Sequence, residues 1–266
     1  MEAVLMGRFS LRRLWMPGAQ VATVVAFLGL WQWASSSGRI DSFFFGKPSR
    51  IWSELSNWIT TGILWTNLSH TIELLAVGYL AGLVIGFALG WLLGASLTAQ
   101  TILEPFIVFM NAVPRIILYP FFVVWLGFGP LPRELSVILV MVPIVAINIA
   151  TGYRAVEGQY LSNMRAQGAS RSHLALHVYI PSLSLWVLST CRVTFGLAFQ
   201  AAISAELITS NSGLGYLAAR GQSLFDVNEV YAALFVVTAV AVVVDVSLVL
   251  IERRATRWMP RPTGMA

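Results

Sequence analysis

The chain has 266 residues, of which 57% are hydrophobic and 11% charged, and its mean hydropathy is +0.75. A soluble domain of this length cannot bury so much apolar surface, which excludes a soluble enzyme and points to an integral membrane protein. The net charge is +5, but the basic residues stand at the ends of apolar runs and in loops, where they set orientation rather than bind nucleic acid. The single cysteine, Cys191, lies inside an apolar run, so there is no disulfide framework.

An arm, 1–16, with Arg8, Arg12 and Arg13, precedes an apolar run at 17–34. A charged start, an apolar middle and small residues at Ala34 to Ser37 also describe a signal peptide. The length of the run and the aromatic anchors Trp31 and Trp33 at its end favour an uncleaved first span, since about 20 apolar residues cross a bilayer. A polar and aromatic segment follows, with a surface helix expected over 53–59. The second span is expected at 70–95, where Gly78, Gly82, Gly86, Gly90 and Gly94 recur every four residues. That spacing lays a strip of glycines along one helix face, a packing surface for another helix.

The third span, 102–126, is expected to be broken by Pro105, Pro114 and Pro120, because proline kinks a helix and frees backbone carbonyls. Such breaks are tolerated in a membrane where they are buried in protein or face a water-filled cavity. A turn at 127–132 leads to a fourth span at 135–150. The polar segment 152–181 comes next, then a fifth span at 182–208, an outer loop at 209–229, a sixth span at 231–251 and a basic tail at 253–266. With both termini inside, the cytoplasmic segments hold Arg8, Arg12, Arg13, Arg154, Arg165, Arg171 and the tail's Arg253, Arg254, Arg257 and Arg261. The outer segments hold Arg39, Lys47, Arg50, Arg133 and Arg220, half as many, so six spans with both ends cytoplasmic satisfy the positive-inside rule.

The polar segment reads as a short helix along the membrane surface, with Arg165, Ala166, Gly168, Ala169 and Ser170 at its centre and Val178, Ile180 and Pro181 at its exit. It resembles the cytoplasmic coupling loop of ABC importer permeases, in which a Glu-Ala-Ala group is followed by Gly and, nine residues later, Ile-x-Leu-Pro. Gly168, Val178, Ile180 and Pro181 fit; Ser162, Asn163 and Met164 replace Glu-Ala-Ala. Four further stretches resemble the nitrate, sulfonate and taurine-type branch. These are Phe45 to Trp52, Asn111 to Gly129, Ser212 to Tyr216 and Ile251 to Arg254, so the likeness covers roughly 40–258.

The resemblance implies an all-α, type I importer permease fold with six spans in a bacterial inner membrane. It also implies a second permease copy, a cytoplasmic ABC ATPase dimer and an extracytoplasmic solute-binding protein. ATP and magnesium would sit on the ATPase. This chain's only lysine, Lys47, is followed by Pro48, so it has no phosphate-binding Gly-Lys-Ser/Thr loop of its own. The cargo implied is a small anion such as a sulfonate, taurine, nitrate or organic carboxylate, with a thiamine-precursor pyrimidine or another neutral nutrient as the alternative.

An Arg within a span costs at least about 2.5 kcal/mol, so it needs water or a partner. Arg115, beside Pro114, is expected either to face the pathway and attract an anion, or to pair with a carboxylate such as Glu104. Asn111 and Tyr119, each four residues away, would share its helical face. Arg192 and Gln200, eight residues apart, are placed on one face, lining the pathway or making helix contacts. Glu73 and Glu206, near outer span ends, are expected to be wetted, and Asp245 to partner an Arg. His173 and His177 have a metal-compatible spacing but no nearby carboxylate, so they read as surface residues. No catalytic constellation is present. A different class, an ion-driven secondary carrier, would use Glu73, Glu206 and Asp245 as a relay.

Overall fold

The computed structural model describes residues 2–156, 164, 166, 168, 170–209 and 211–255. Their regular structure is helical. The helices are α1 (Glu2–Ser36), α2 (Ser42–Phe45), α3 (Pro48–Thr60), α4 (Ile63–Ala95), α5 (Leu97–Ala112), α6 (Arg115–Leu126) and α7 (Pro130–Arg154). After the polar segment come α8 (Ile180–Thr209), α9 (Leu214–Ser223) and α10 (Val227–Ala255). Four helices are long and apolar enough to cross a membrane: Ile63–Ala95, Pro130–Arg154, Ser182–Ile208 and Val227–Arg254. The first expected span is the second half of α1, continuous with the arm. The third expected span is not one helix.

Of its three prolines, only Pro114 breaks the chain. Pro105 and Pro120 lie inside α5 and α6. A residue before proline is pushed out of the α region, and Val113 has φ −69° and ψ 130°. Pro114 then caps α6, and Gly127, at φ +78°, ends it.

The chain forms two compact units. The first comprises Met1–Leu64 and Ala218–Leu234. In it Pro48 opens α3, a position where its missing N–H costs nothing. Ser35 donates to the Gly46 carbonyl at 2.8 Å, the Ser49 N–H to Gln32 Oε1 at 3.0 Å and the Lys47 N–H to Asn228 Oδ1 at 2.9 Å. Trp58 is fully buried, and Arg220 pairs with the buried Glu229.

The second unit comprises Trp65–Leu217 and Phe235–Ala266. Its organising contact is the glycine strip of α4 against α7. A Cβ added at Gly78, Gly82 or Gly86 would stand 2.8, 2.5 or 2.6 Å from the Cβ of Val137, Met141 or Val145. At Gly90 and Gly94 it would stand 2.7 and 2.6 Å from those of Ile149 and Tyr153. Residue numbers rise together on both helices at a constant offset, so α4 and α7 run parallel. Helix α8 runs antiparallel to α4: Trp91 meets Tyr179, Tyr79 donates to the Cys191 carbonyl at 2.7 Å, and Thr71 meets Glu206. Gly152 gives α8 the same close approach to α7, where a Cβ would lie 2.6 Å from the Trp186 ring. At the Tyr153 end, the Tyr153 and Tyr179 rings stack at 4.1 Å and 6°, with Trp91 edge-on to both.

Candidate functional site

Helices α6, α7 and α8 border a half-open cavity of about 310 Å³ in the second unit. Tyr119 of α6, Ser136 and Val140 of α7, and Gln200, Ser204 and Ile208 of α8 line it. The α8 residues form one stripe, because steps of three and four return to the same face of a helix. The polar lining is neutral: a phenol, two hydroxyls and an amide. Ser136 donates to the Pro132 carbonyl at 2.9 Å, so its proton is engaged within α7.

Tyr119 and Gln200 are thus brought together. Asn111 is exposed on the last turn of α5, before the break. The i, i+4 relation expected from Asn111 to Arg115 fails because the helix restarts at Arg115; Arg115 and Tyr119 keep theirs within α6. The side chain of Arg115 lies outside the described residues. Arg192 and Gln200 do not share a face either. Gln200 stands at one edge of the cavity stripe, and Arg192, roughly a further 80° round the helix from that edge, falls outside it. Arg192 turns to α10, with Asp245 at 3.6 Å and Glu252 at 3.5 Å, the partnership with Asp245 expected from the sequence.

Glu206, expected in water, is fully buried. The Thr71 hydroxyl lies 2.8 and 3.0 Å from its two carboxylate oxygens. Three successive backbone N–H groups of the turn before α9 then find side-chain acceptors. Gly213 donates to Asn67 Oδ1, Leu214 to Thr71 Oγ1 and Gly215 to Glu206 Oε2, each at 2.9 Å. These N–H groups open α9 and have no intrahelical partner, so α4 and α8 together cap it, and a carboxylate is the favoured charge at that end. The glycines are required: a Cβ at Gly213, where φ is +107°, would strike the Glu206 carboxyl, and one at Gly215 would strike the Ile203 carbonyl.

The comparisons with known proteins agree with this arrangement. A family model described as "Binding-protein-dependent transport system inner membrane component" matches residues 78–257, from the glycine strip to the end of α10. The chain belongs to that permease family. Among relatives, it is 26% identical to a putative aliphatic sulfonates transport permease protein of Bacillus subtilis (strain 168), covering 92% of this chain and 88% of that protein. It is 24% identical to the taurine transport system permease protein of Escherichia coli (strain K12), over 90% and 88%. Its fold is similar to the methionine ABC transporter MetNI in an inward-facing structure, with a TM-score of 0.62, 17% identity, and 73% of this chain and 97% of that chain covered.

The permease is a multi-pass inner-membrane transport subunit and not an enzyme. Of the residues expected to couple it to an ATPase, Arg165 and Ala169 lie outside the described residues, as does the side chain of Pro181. Ala166 is helical and exposed. Gly168 is exposed in a turn at φ +81°, with open space around it. Ser170 Oγ accepts the His173 N–H at 3.2 Å and starts the turn Arg171–Leu174. The permease's path into α8 is a π-helical segment, Ala175–Tyr179. Pro181 has no N–H to return to the carbonyl four residues back, which is where such a widened turn belongs. His173 and His177 are exposed with rings stacked at 4.1 Å; among the described residues no group of three His, Cys, Asp or Glu is placed to hold a metal. The carboxylates of the carrier relay do not meet: Glu73 is exposed, Asp245 faces Arg192 and Glu206 faces Thr71.

Sequence reasoning missed Ser136, Ser204 and the Asn67–Thr71–Glu206 group. Ser204 was accessible from Gln200 by one more step of four. The other residues are linked only across helices, and no spacing in the chain announces them.

Proposed function

We propose that this permease forms the membrane pathway of an ATP-driven importer for a small anion of the sulfonate or taurine kind, with the α6–α7–α8 cavity on that pathway. The observation that carries this reading is the cavity's lining, in which the Gln200 amide and the Ser204 hydroxyl are neutral donors on an otherwise apolar face of a permease family member. A sulfonate is ionised at any physiological pH. Hydroxyls and an amide solvate its oxygens without the strong attraction of a fixed cation, and a pathway must bind weakly enough to release. The aliphatic walls Val140, Leu197 and Ile208 suit a short carbon chain. The names of the sulfonate and taurine relatives support the same class. Arg115, first residue of α6, adds positive charge to a helix of the pathway in this reading.

The six-span topology, with both termini in the cytoplasm, belongs to the same proposal. Parallel α4 and α7 require the chain between them to return across the membrane, which supports α5 and α6 together as one broken span. An extracytoplasmic binding protein delivers the solute, a separate ATPase dimer binds ATP and magnesium and presses on the segment around Gly168, and a second copy completes the pathway.

The test is uptake in proteoliposomes holding the permease, the ATPase and the binding protein encoded beside it. Taurine and short alkanesulfonates are expected to accumulate with ATP, and Gln200→Ala with Ser204→Ala to reduce uptake. Accumulation of a pyrimidine instead of any sulfonate would transfer the cargo to the neutral class. Transport without the ATPase, driven by an ion gradient, would end the importer reading.

A further inference from the structure

We propose that Glu206 and Thr71 are positioning residues of the pathway: from the far side of α8 they fix its rotational setting, so that Gln200 and Ser204 face the cavity. This rests on the reading of the cavity as the pathway. On a helix of 3.6 residues per turn, Glu206 stands almost diametrically opposite the centre of the stripe formed by Leu197, Gln200, Ala201, Ser204, Ala205 and Ile208.

A helix packed only by apolar side chains can turn by a few tens of degrees and re-pack. Glu206 removes that freedom. It is fully buried, both its oxygens are within hydrogen-bond reach of the Thr71 hydroxyl, and Oε2 takes the Gly215 N–H. Turning α8 would leave the carboxylate and the Gly215 N–H buried without partners, which is costly. Asn67 and Thr71 lie one turn apart on α4 and hold the turn at Gly213 and Leu214, so the bond reaches a second helix and the outer loop together. Ser204 is two residues from Glu206, which makes the stripe's outer half the part most directly governed.

The role requires an acceptor for Gly215 and a partner for Thr71, not a charge. Glu206→Gln can keep both: its amide oxygen takes the Gly215 N–H, its NH2 group donates to the second lone pair of the Thr71 hydroxyl, and the Thr71 proton turns to the Asn67 carbonyl at 3.2 Å. Glu206→Leu removes both contacts.

The experiment uses the full complex of permease, ATPase and binding protein with Ser204→Cys on a Cys191→Ser background. The readout is the rate of labelling by a water-soluble thiol reagent. With Glu206 and Thr71 present, labelling is expected to be fast and slowed by added taurine. Glu206→Leu and Thr71→Val are each expected to slow it about tenfold, the scale of a lost buried hydrogen bond, and Glu206→Gln to stay close to the parent. Thr71→Ser, which keeps the hydroxyl, is expected to restore it. Without the Ser204→Cys change, Glu206→Leu and Thr71→Val should lower solute taken up per ATP hydrolysed. Equal labelling in all variants, or an unchanged uptake-to-ATP ratio with lowered thermal stability, would overturn the positioning role and leave a purely structural one. Failure of the thiol introduced by Ser204→Cys to react while Glu206 is in place would overturn the pathway reading itself. If Glu206→Leu does not assemble, the Thr71→Val and Thr71→Ser pair decides the question.

Discussion

Helix α4 meets its neighbours in two contrasting ways. Against α7 it contributes nothing but the absence of side chains: five glycines let two backbones approach until any added Cβ would collide. Against α8 and the outer turn it contributes two polar side chains, Asn67 and Thr71, which hold a buried carboxylate and three backbone N–H groups. The first contact depends on shape and tolerates no added volume. The second depends on matched donors and acceptors and tolerates no unpaired atom. Between helices in a membrane both are effective, since apolar side chains alone gain little over lipid.

The contrast can be broken most severely at the glycines. Gly86→Leu is expected to yield no monodisperse protein on size-exclusion chromatography, because overpacking at a fixed backbone contact costs about 1–3 kcal/mol or more and here has rigid Val145 in its way. Gly29→Leu, with nothing near its added Cβ, should elute as the parent does. On the polar side, Thr71→Val keeps the volume and removes the donor. It is expected to cost about 1–3 kcal/mol, read as a lowered melting temperature, with Thr71→Ser close to the parent.

A gentler test compares Glu206 with Glu54 of α3. Burial raises the Glu54 pKa above its ordinary value; neighbouring Asp226 and Glu229 raise it further, and Arg220 opposes them. The folded state therefore holds the Glu54 proton more tightly than the unfolded chain. Its contribution to stability is fully present below the unfolded pKa of 4.5 and is lost as pH rises through the higher folded value. Glu54→Gln is expected to flatten the fall in melting temperature as pH rises above 4.5, and a melting curve series across pH checks it.

The two contacts also divide what could be read in the sequence. Glycines repeating every four residues are a local pattern, and their role as a packing face is found in the structure where the spacing puts it. So are the surface helix around 53–59, which extends over α3, and the span at 182–208 within α8. The Glu206 group joins residues 67, 71, 206 and 213–215, and no local period connects them. Read alone, a glutamate near the end of an apolar run looks solvated; only the arrival of α4 buries it. The cavity residues fall between these extremes. Tyr119 and Gln200 each sit on a locally legible helix face, but their neighbours were misjudged where a helix restarts at Pro114 and where eight residues do not close a whole number of turns.

The stacked rings of Tyr153 and Tyr179 close the base of the polar segment, tying its entry on α7 to its exit toward α8. Trp91 of α4 lies edge-on to both rings, so the two ends of the segment leave from one point and cannot separate without parting this three-ring stack.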